Sequence, residues 1–181
     1  NSKIVAEFDA LGRATSYDYD ARGNLTRTTF PDGTSETFVY DPENRLIESV
    51  DRLGRATTLE YDALGRQTRV TAPDGTSTAE GYDAAGRRTN STDQRGNETR
   101  YEYDAAGRHV RTIDALGNET TFQYDAVGNQ TAITDPLGRT TQFVYDANDR
   151  LVRTTFPDGT TAIVDYDALG RRVAETDQLG Q

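Results

Sequence analysis

At 181 residues, with no shift in composition along its length, the sequence has room for one domain or two small ones. Thirty acidic side chains against twenty basic ones leave a net charge of −10, which repels phosphate backbones and argues against general nucleic-acid binding. There is no Cys for disulfides or thiolate chemistry, no apolar run long enough to span a membrane, and a hydrophobic share of 34% is small for a thick globular core.

The chain opens at Asn1 in the middle of a pattern, so it is expected to be a piece of a longer protein whose targeting signals lie outside it. A Tyr-Asp pair begins at Tyr19, Tyr40, Tyr61, Tyr82, Tyr103, Tyr124, Tyr145 and Tyr166, each 21 residues after the last, without insertion or deletion. A period this regular fixes the architecture before any other signal is weighed. The Asp-x-x-Gly that follows suits a type I turn closed by a left-handed residue and a bulge, a common three-residue hairpin loop. Two repeats carry Asn44 and Asp149 in place of Gly, and these are residue types that tolerate positive φ. The first Asp, as in Asp104, is expected to cap the turn by accepting backbone N–H bonds.

Between successive Tyr-Asp turns lies a second reversal. Asp51-Arg52-Leu53-Gly54 and Asp93-Gln94-Arg95-Gly96 are examples, and three repeats use Pro-Asp-Gly-Thr, starting at Pro31, Pro73 and Pro157. Counting Asn44 and Asp149 as Gly, the turn slots fall alternately 11 and 10 residues apart, from Gly12 to Gly180. Fifteen of the 16 Gly occupy slots, Gly81 being the exception, and all five Pro sit two places before one. What remains is short segments free of breakers, as consecutive antiparallel hairpins require. Seventeen slots imply about 16 strands.

The segment entering each Tyr-Asp turn alternates with period two: Thr99, Tyr101 and Tyr103 share one face, Arg100 and Glu102 the other. The repeat holding Glu80, Gly81 and Tyr82 breaks this alternation at its middle position, where a weak point or bulge is expected. The segment leaving each turn, such as Leu46-Ile47-Glu48-Ser49-Val50 or Arg88-Thr89-Asn90-Ser91-Thr92, does not declare its covered face. The expectation is an all-β fold: a single array over residues 1–181, about eight 21-residue units, growing by one hairpin per repeat. Equivalent Tyr residues would recur about every 9.6 Å, and twist would bend so long a sheet into an arc or spiral.

The stretch Gly96-Asn97-Glu98-Thr99-Arg100-Tyr101-Glu102-Tyr103-Asp104-Ala105-Ala106-Gly107-Arg108 resembles the signature of the Rhs/YD-repeat family, in outline Gly-x-x-x-Arg-Tyr-x-Tyr-Asp-x-x-Gly-Arg-Leu. His109 replaces the final Leu, which Leu46 and Leu151 keep. The family includes bacterial Rhs polymorphic toxins, the C component of insecticidal toxin complexes, wall-associated proteins and teneurins. The resemblance implies a β-strip that spirals into a hollow shell, with a C-terminal toxin or effector domain enclosed in the toxin members. The self-cleavage region of the toxin cores is superficially similar to Asp135-Pro136-Leu137-Gly138-Arg139. That pentapeptide lacks the final Leu, is followed by more repeats, and occupies an ordinary turn slot.

No catalytic, cofactor-binding or metal site is expected. Tyr-Asp pairs suggest sugar stacking, but their presence in every repeat fits a packing ladder and a turn cap. One Asp per turn beside Arg or Asn does not converge six to eight oxygens on a calcium ion. His109, the only His, stands in a variable column, expected at the surface or in a lumen, with no triad or metal-ligand spacing around it. Two functional readings remain: a shell segment of a secreted or cell-surface protein that encloses or displays an effector, and an adhesion module that binds a glycan or protein. Open sheet edges also favour self-association.

Overall fold

The structure is a computed structural model that describes residues 3–180, and every element in it is a strand or a turn. No helix is present among these residues that could cross a membrane. Two compact units divide at Asn97 and Glu98. The first holds β1 (Ala6–Phe8), β2 (Ala14–Tyr19), β3 (Leu25–Thr29), β4 (Ser35–Tyr40), β5 (Leu46–Val50), β6 (Ala56–Tyr61), β7 (Gln67–Thr71), β8 (Ser77–Tyr82) and β9 (Arg88–Thr92). The second holds β10 (Glu98–Tyr103), β11 (His109–Ile113), β12 (Glu119–Tyr124), β13 (Gln130–Thr134), β14 (Thr140–Tyr145), β15 (Leu151–Thr155), β16 (Thr161–Tyr166) and β17 (Arg172–Thr176). Inside each unit every strand pairs antiparallel with its neighbours in sequence. The described strands number 17 rather than about 16, because the three-residue β1 precedes the first turn.

The turns form as the spacing demands. Gly107 N–H donates to Asp104 O and Asp104 N–H to Arg108 O, both at 2.9 Å, which closes a type I turn with a bulge. The register shows the bulge directly: Glu102 faces Arg111, yet the next residue, Tyr103, faces His109. Asn44 and Asp149 adopt φ of 64° and 59° and so do the work of glycine.

Register also settles which face the leaving strands cover. Tyr101 lies opposite Thr112, Leu59 opposite Val70 and Phe122 opposite Ile133, so these residues join the Tyr face. That face is half-buried, while Asp18, Glu60, Glu102 and Gln123 on the other are exposed. Among the described residues only Ala132 and Thr28 are buried, and no side chain is fully so. Each unit is therefore a single layer, stabilised by side chains that lie sideways on adjacent strands rather than by a core.

The weak point expected near Gly81 is filled instead. β8 runs unbroken through Gly81, which faces Asn90, and the shift beside Tyr82 is the one found at every Tyr-Asp hairpin. The Asn90 side chain occupies the space where a Cβ at Gly81 would stand. Glycine there lets a long polar neighbour fold across the strand.

Candidate functional site

The chemistry-bearing groups of this chain converge on the edge built by the Tyr-Asp turns. Each Asp carboxylate is consumed locally. Asp62 Oδ1 accepts from the N–H of Leu64 at 2.9 Å and of Arg66 at 3.0 Å, while Oδ2 takes the Arg66 Nε at 2.6 Å. Asp41, Asp83, Asp146 and Asp167 repeat the arrangement. The Arg108 N–H beside Asp104 holds that carboxyl below the usual range, and the Arg108 guanidinium adds to the effect. At Asp62 partial burial pushes the carboxyl up, but the bonds from Arg66 outweigh it and the net direction is down.

The same Arg then reaches the next repeat. Arg66 lies over the Tyr82 ring, 4.5 Å from its centre, and donates to Asp83 O at 3.3 Å. Arg45 does this to Tyr61 and Asp62, and Arg108 to Tyr124 and Asp125. Arg150 covers Tyr166, and Lys3 covers Tyr19. Each ring leans back in turn: Tyr61 O–H donates to Leu46 O and Tyr124 O–H to His109 O, both at 2.9 Å. Asp, Arg and the following Tyr thus form a chain of contacts that runs from repeat to repeat along each unit.

Two junctions are built differently. Where Asn24 and Asn129 replace the Arg, the slot one repeat later is not Gly but Asn44 and Asp149. Asn24 Nδ2 donates to Asn44 Oδ1 at 3.0 Å, and Asn129 Nδ2 to Asp149 Oδ1 at 2.8 Å. The reason for glycine elsewhere is visible in the Arg junctions. A Cβ at Gly170 would stand 3.3 Å from Arg150 Nη1, and one at Gly86 3.5 Å from Arg66 Nη1. A short Asn upstream frees the slot for a side chain. Sequence reasoning noted the two exceptions but missed their link to the residue 20 positions earlier, a signal that aligning the repeats by hand would expose.

The opposite edge varies more. Leu stands before the slot at Leu11, Leu53, Leu116, Leu137 and Leu179, Arg at Arg95, and Asp in the Pro-Asp-Gly-Thr turns that start at Pro31, Pro73 and Pro157, which form a second kind. In the second kind the capping Asp moves inward: Asp32 Oδ1 accepts from the Thr34 N–H at 3.0 Å and hydroxyl at 2.6 Å. Arg52 stacks on Phe30, 4.2 Å from its centre, and pairs with Asp32. A shallow cleft of about 290 Å³ opens there between Arg13, Phe30, Pro31 and Arg52. Asp135 caps an ordinary turn, with Gly138 N–H donating to its carbonyl at 2.9 Å and Arg139 to its carboxylate. His109 stands in the column expected at the surface or in a lumen. It is half-buried on the Tyr face, 4.8 Å from the Phe122 ring and 5.6 Å from that of Tyr103, with Nε2 3.0 Å from both Thr112 Oγ1 and Arg111 O.

A family model described as RHS Repeat matches residues 2–35, 40–77, 82–110, 109–140, 124–161 and 145–181. Over 45 residues, a quarter of this chain, the sequence is 42% identical to double-stranded DNA deaminase toxin A of Burkholderia cenocepacia. That stretch is only 3% of the relative's length. Among solved structures, the TcdB2-TccC3-TEV crystal structure matches 96% of this chain with a TM-score of 0.63 at 18% identity. This chain covers 11% of it, so the likeness is one of fold.

Proposed function

The chain belongs to the RHS repeat family, and from that premise we propose that it is a stretch of β-wall in a larger toxin-type protein, with no catalytic step, cofactor or metal of its own. The observation that carries this reading is the fate of the reactive groups. The turn carboxylates, guanidiniums and phenols that could serve a substrate are spent within their own turn or on a neighbouring repeat, as Asp62, Arg66 and Tyr82 illustrate. A layer with only two buried residues is suited to enclosing space rather than to shaping a dry catalytic pocket. The relative that is a deaminase toxin supports a toxin setting. Unbroken spacing from Tyr82 to Tyr103 supports one array across both units.

In its finer form the proposal is that the array, secreted or delivered to a cell surface, encloses the C-terminal effector domain of its parent. The alternative, a glycan-binding adhesion module, is weakened by guanidiniums that cover the Tyr faces at the Arg junctions. The test is protease protection of a reporter fused in place of the effector behind the complete parental array. Protection that disappears when Arg66 and Arg108 are both replaced by Ala is the expected result. A reporter cut equally fast with and without the wall would overturn enclosure, and saturable binding of the chain on a glycan array would favour the adhesion reading.

A further inference from the structure

At five of the Tyr-Asp turns the ring of the Tyr carries a cation supplied by the preceding repeat: Lys3, Arg45, Arg66, Arg108 and Arg150 stand 4.5–5.1 Å from the centres of Tyr19, Tyr61, Tyr82, Tyr124 and Tyr166. Tyr40 and Tyr145 follow the two Asn residues, and among the described residues no cation lies over either ring. The loss is double. Asn24 and Asn129 leave the ring without its cation, and they also leave Asp20 and Asp125 without a guanidinium partner. Asp20 Oδ2 accepts from Asn24 Nδ2 at 2.9 Å and Asp125 Oδ2 from Asn129 Nδ2 at 3.1 Å, neutral donors in both cases.

We propose that these two Asn junctions are recognition sites for the basic side chains of an incoming polypeptide, with the Tyr40 and Tyr145 rings and the Asp20 and Asp125 carboxylates taking the Arg or Lys that the other junctions supply from within. The internal pairs define the ligand chemistry, because the same ring in the same fold holds a guanidinium four times and an ammonium once. Space exists at the first site. A cleft of about 340 Å³ lies between Asp20, Ala21, Arg22, Tyr40, Asp41 and Pro42. Arg22, the positive group on its rim, is turned toward Pro42 O rather than the ring. At the second site Val127 stands where Arg22 does, and Asp149 brings a further carboxylate. Burial pushes the Tyr145 phenol up, and the charge of Asp125 pushes it the same way, as expected for a ring in a negative field. The proposal does not depend on enclosure, since it concerns one edge of the sheet whichever way that edge faces.

The test is an NMR titration of the chain carrying ¹³C-labelled Tyr rings, assigned by Tyr40→Phe and Tyr145→Phe, at low ionic strength. The probe is a tetra-arginine peptide, and its neutral isostere tetra-citrulline is the control. The expected result is saturable shifts of the Tyr40 and Tyr145 signals with tetra-arginine only, with Tyr61 and Tyr82 unmoved. The paired variants N24R/N44G and N129R/D149G rebuild the ordinary junction and should abolish the response at their own ring while sparing the other. Equal movement of all rings, equal response to citrulline, or persistence in a rebuilt variant would each overturn the proposal. Discrimination among rings in the unmodified chain decides the matter even if a paired variant fails to fold.

Discussion

The two edges of the sheet obey different rules. Along the Tyr-Asp edge a turn is tied to the next repeat through Arg and Tyr, as Arg66 is to Tyr82, except where Asn24 and Asn129 stand; along the other the tip residue varies and the Leu tips are exposed. Leu53 and Leu137 are each 76% exposed and Leu116 is 87% exposed. The contrast separates two tasks. The first edge carries the interactions that make one repeat recognise the next, so its residues are constrained in pairs. The second carries such a link where Arg52 meets Phe30 and Asp32, while its tips vary between Leu, Asp and Arg.

The strongest way to break this contrast is to put the same side chain into a slot on each edge. Gly86 and Gly75 have nearly equal φ, +86° and +83°, but only Gly86 has an Arg from the preceding repeat beside it. Asn tolerates the left-handed backbone at both positions. Gly86→Asn is expected to drive Arg66 off Tyr82, costing about 1–2 kcal/mol more than Gly75→Asn through the lost cation–π contact and hydrogen bond. Adding Arg66→Asn should recover most of that difference by making the junction found at Asn24. Urea midpoints of the two single variants and the double variant measure it, and equal losses on both edges would end the distinction.

Much of this was legible in the sequence because glycine and proline mark turns through backbone sterics that no tertiary context overrides. Every slot from Gly12 to Gly180 that the spacing singled out has positive φ, including Asn44 and Asp149. The face of the entering strand was legible as well, since Tyr101 and Tyr103 alternate with exposed Arg100 and Glu102. The leaving strand was not, because its bulge shifts the phase: Tyr103 faces His109, not Val110. That shift is also why His109, in a column of mixed residue types, lies among aromatic rings. The site itself was hidden for a related reason. A contact between residues 20 positions apart, such as Asn24 with Asn44, leaves no mark in any local pattern and emerges only when two exceptions are read as one.

A smaller effect comes from comparing two arginines that form the same local ion pair. Arg66 and Arg55 each hold the Asp four residues earlier at 2.6–2.7 Å, but the Arg66 side chain is 26% exposed and that of Arg55 is 61%. Arg66→Ala removes the stack on Tyr82 as well and is expected to cost about 1–1.5 kcal/mol. Arg55→Ala removes an exposed pair and should cost about 0.5 kcal/mol or less. Thermal melts of the two variants rank them, and a larger loss for Arg55 would mean that the second edge links its repeats through Arg55 as it does through Arg52.

The smallest expected change concerns the Leu tips. Leu137 is the third residue of its turn, is largely exposed, and donates its N–H to the Asp135 carboxylate at 2.9 Å, a bond that any residue but Pro can make. Leu137→Asn keeps that bond and replaces an apolar tip with a turn-favouring residue, so stability should move by no more than about 0.5 kcal/mol in either direction. An exposed Leu at such a position has no reason in the stability of its own turn. If sedimentation shows that the unmodified chain associates and the variant does not, while the two melt alike, the tip belongs to a contact between molecules. A clear loss of monomer stability would instead mean that the tip is packed within its own sheet, and the two edges would then differ less than their exposure indicates.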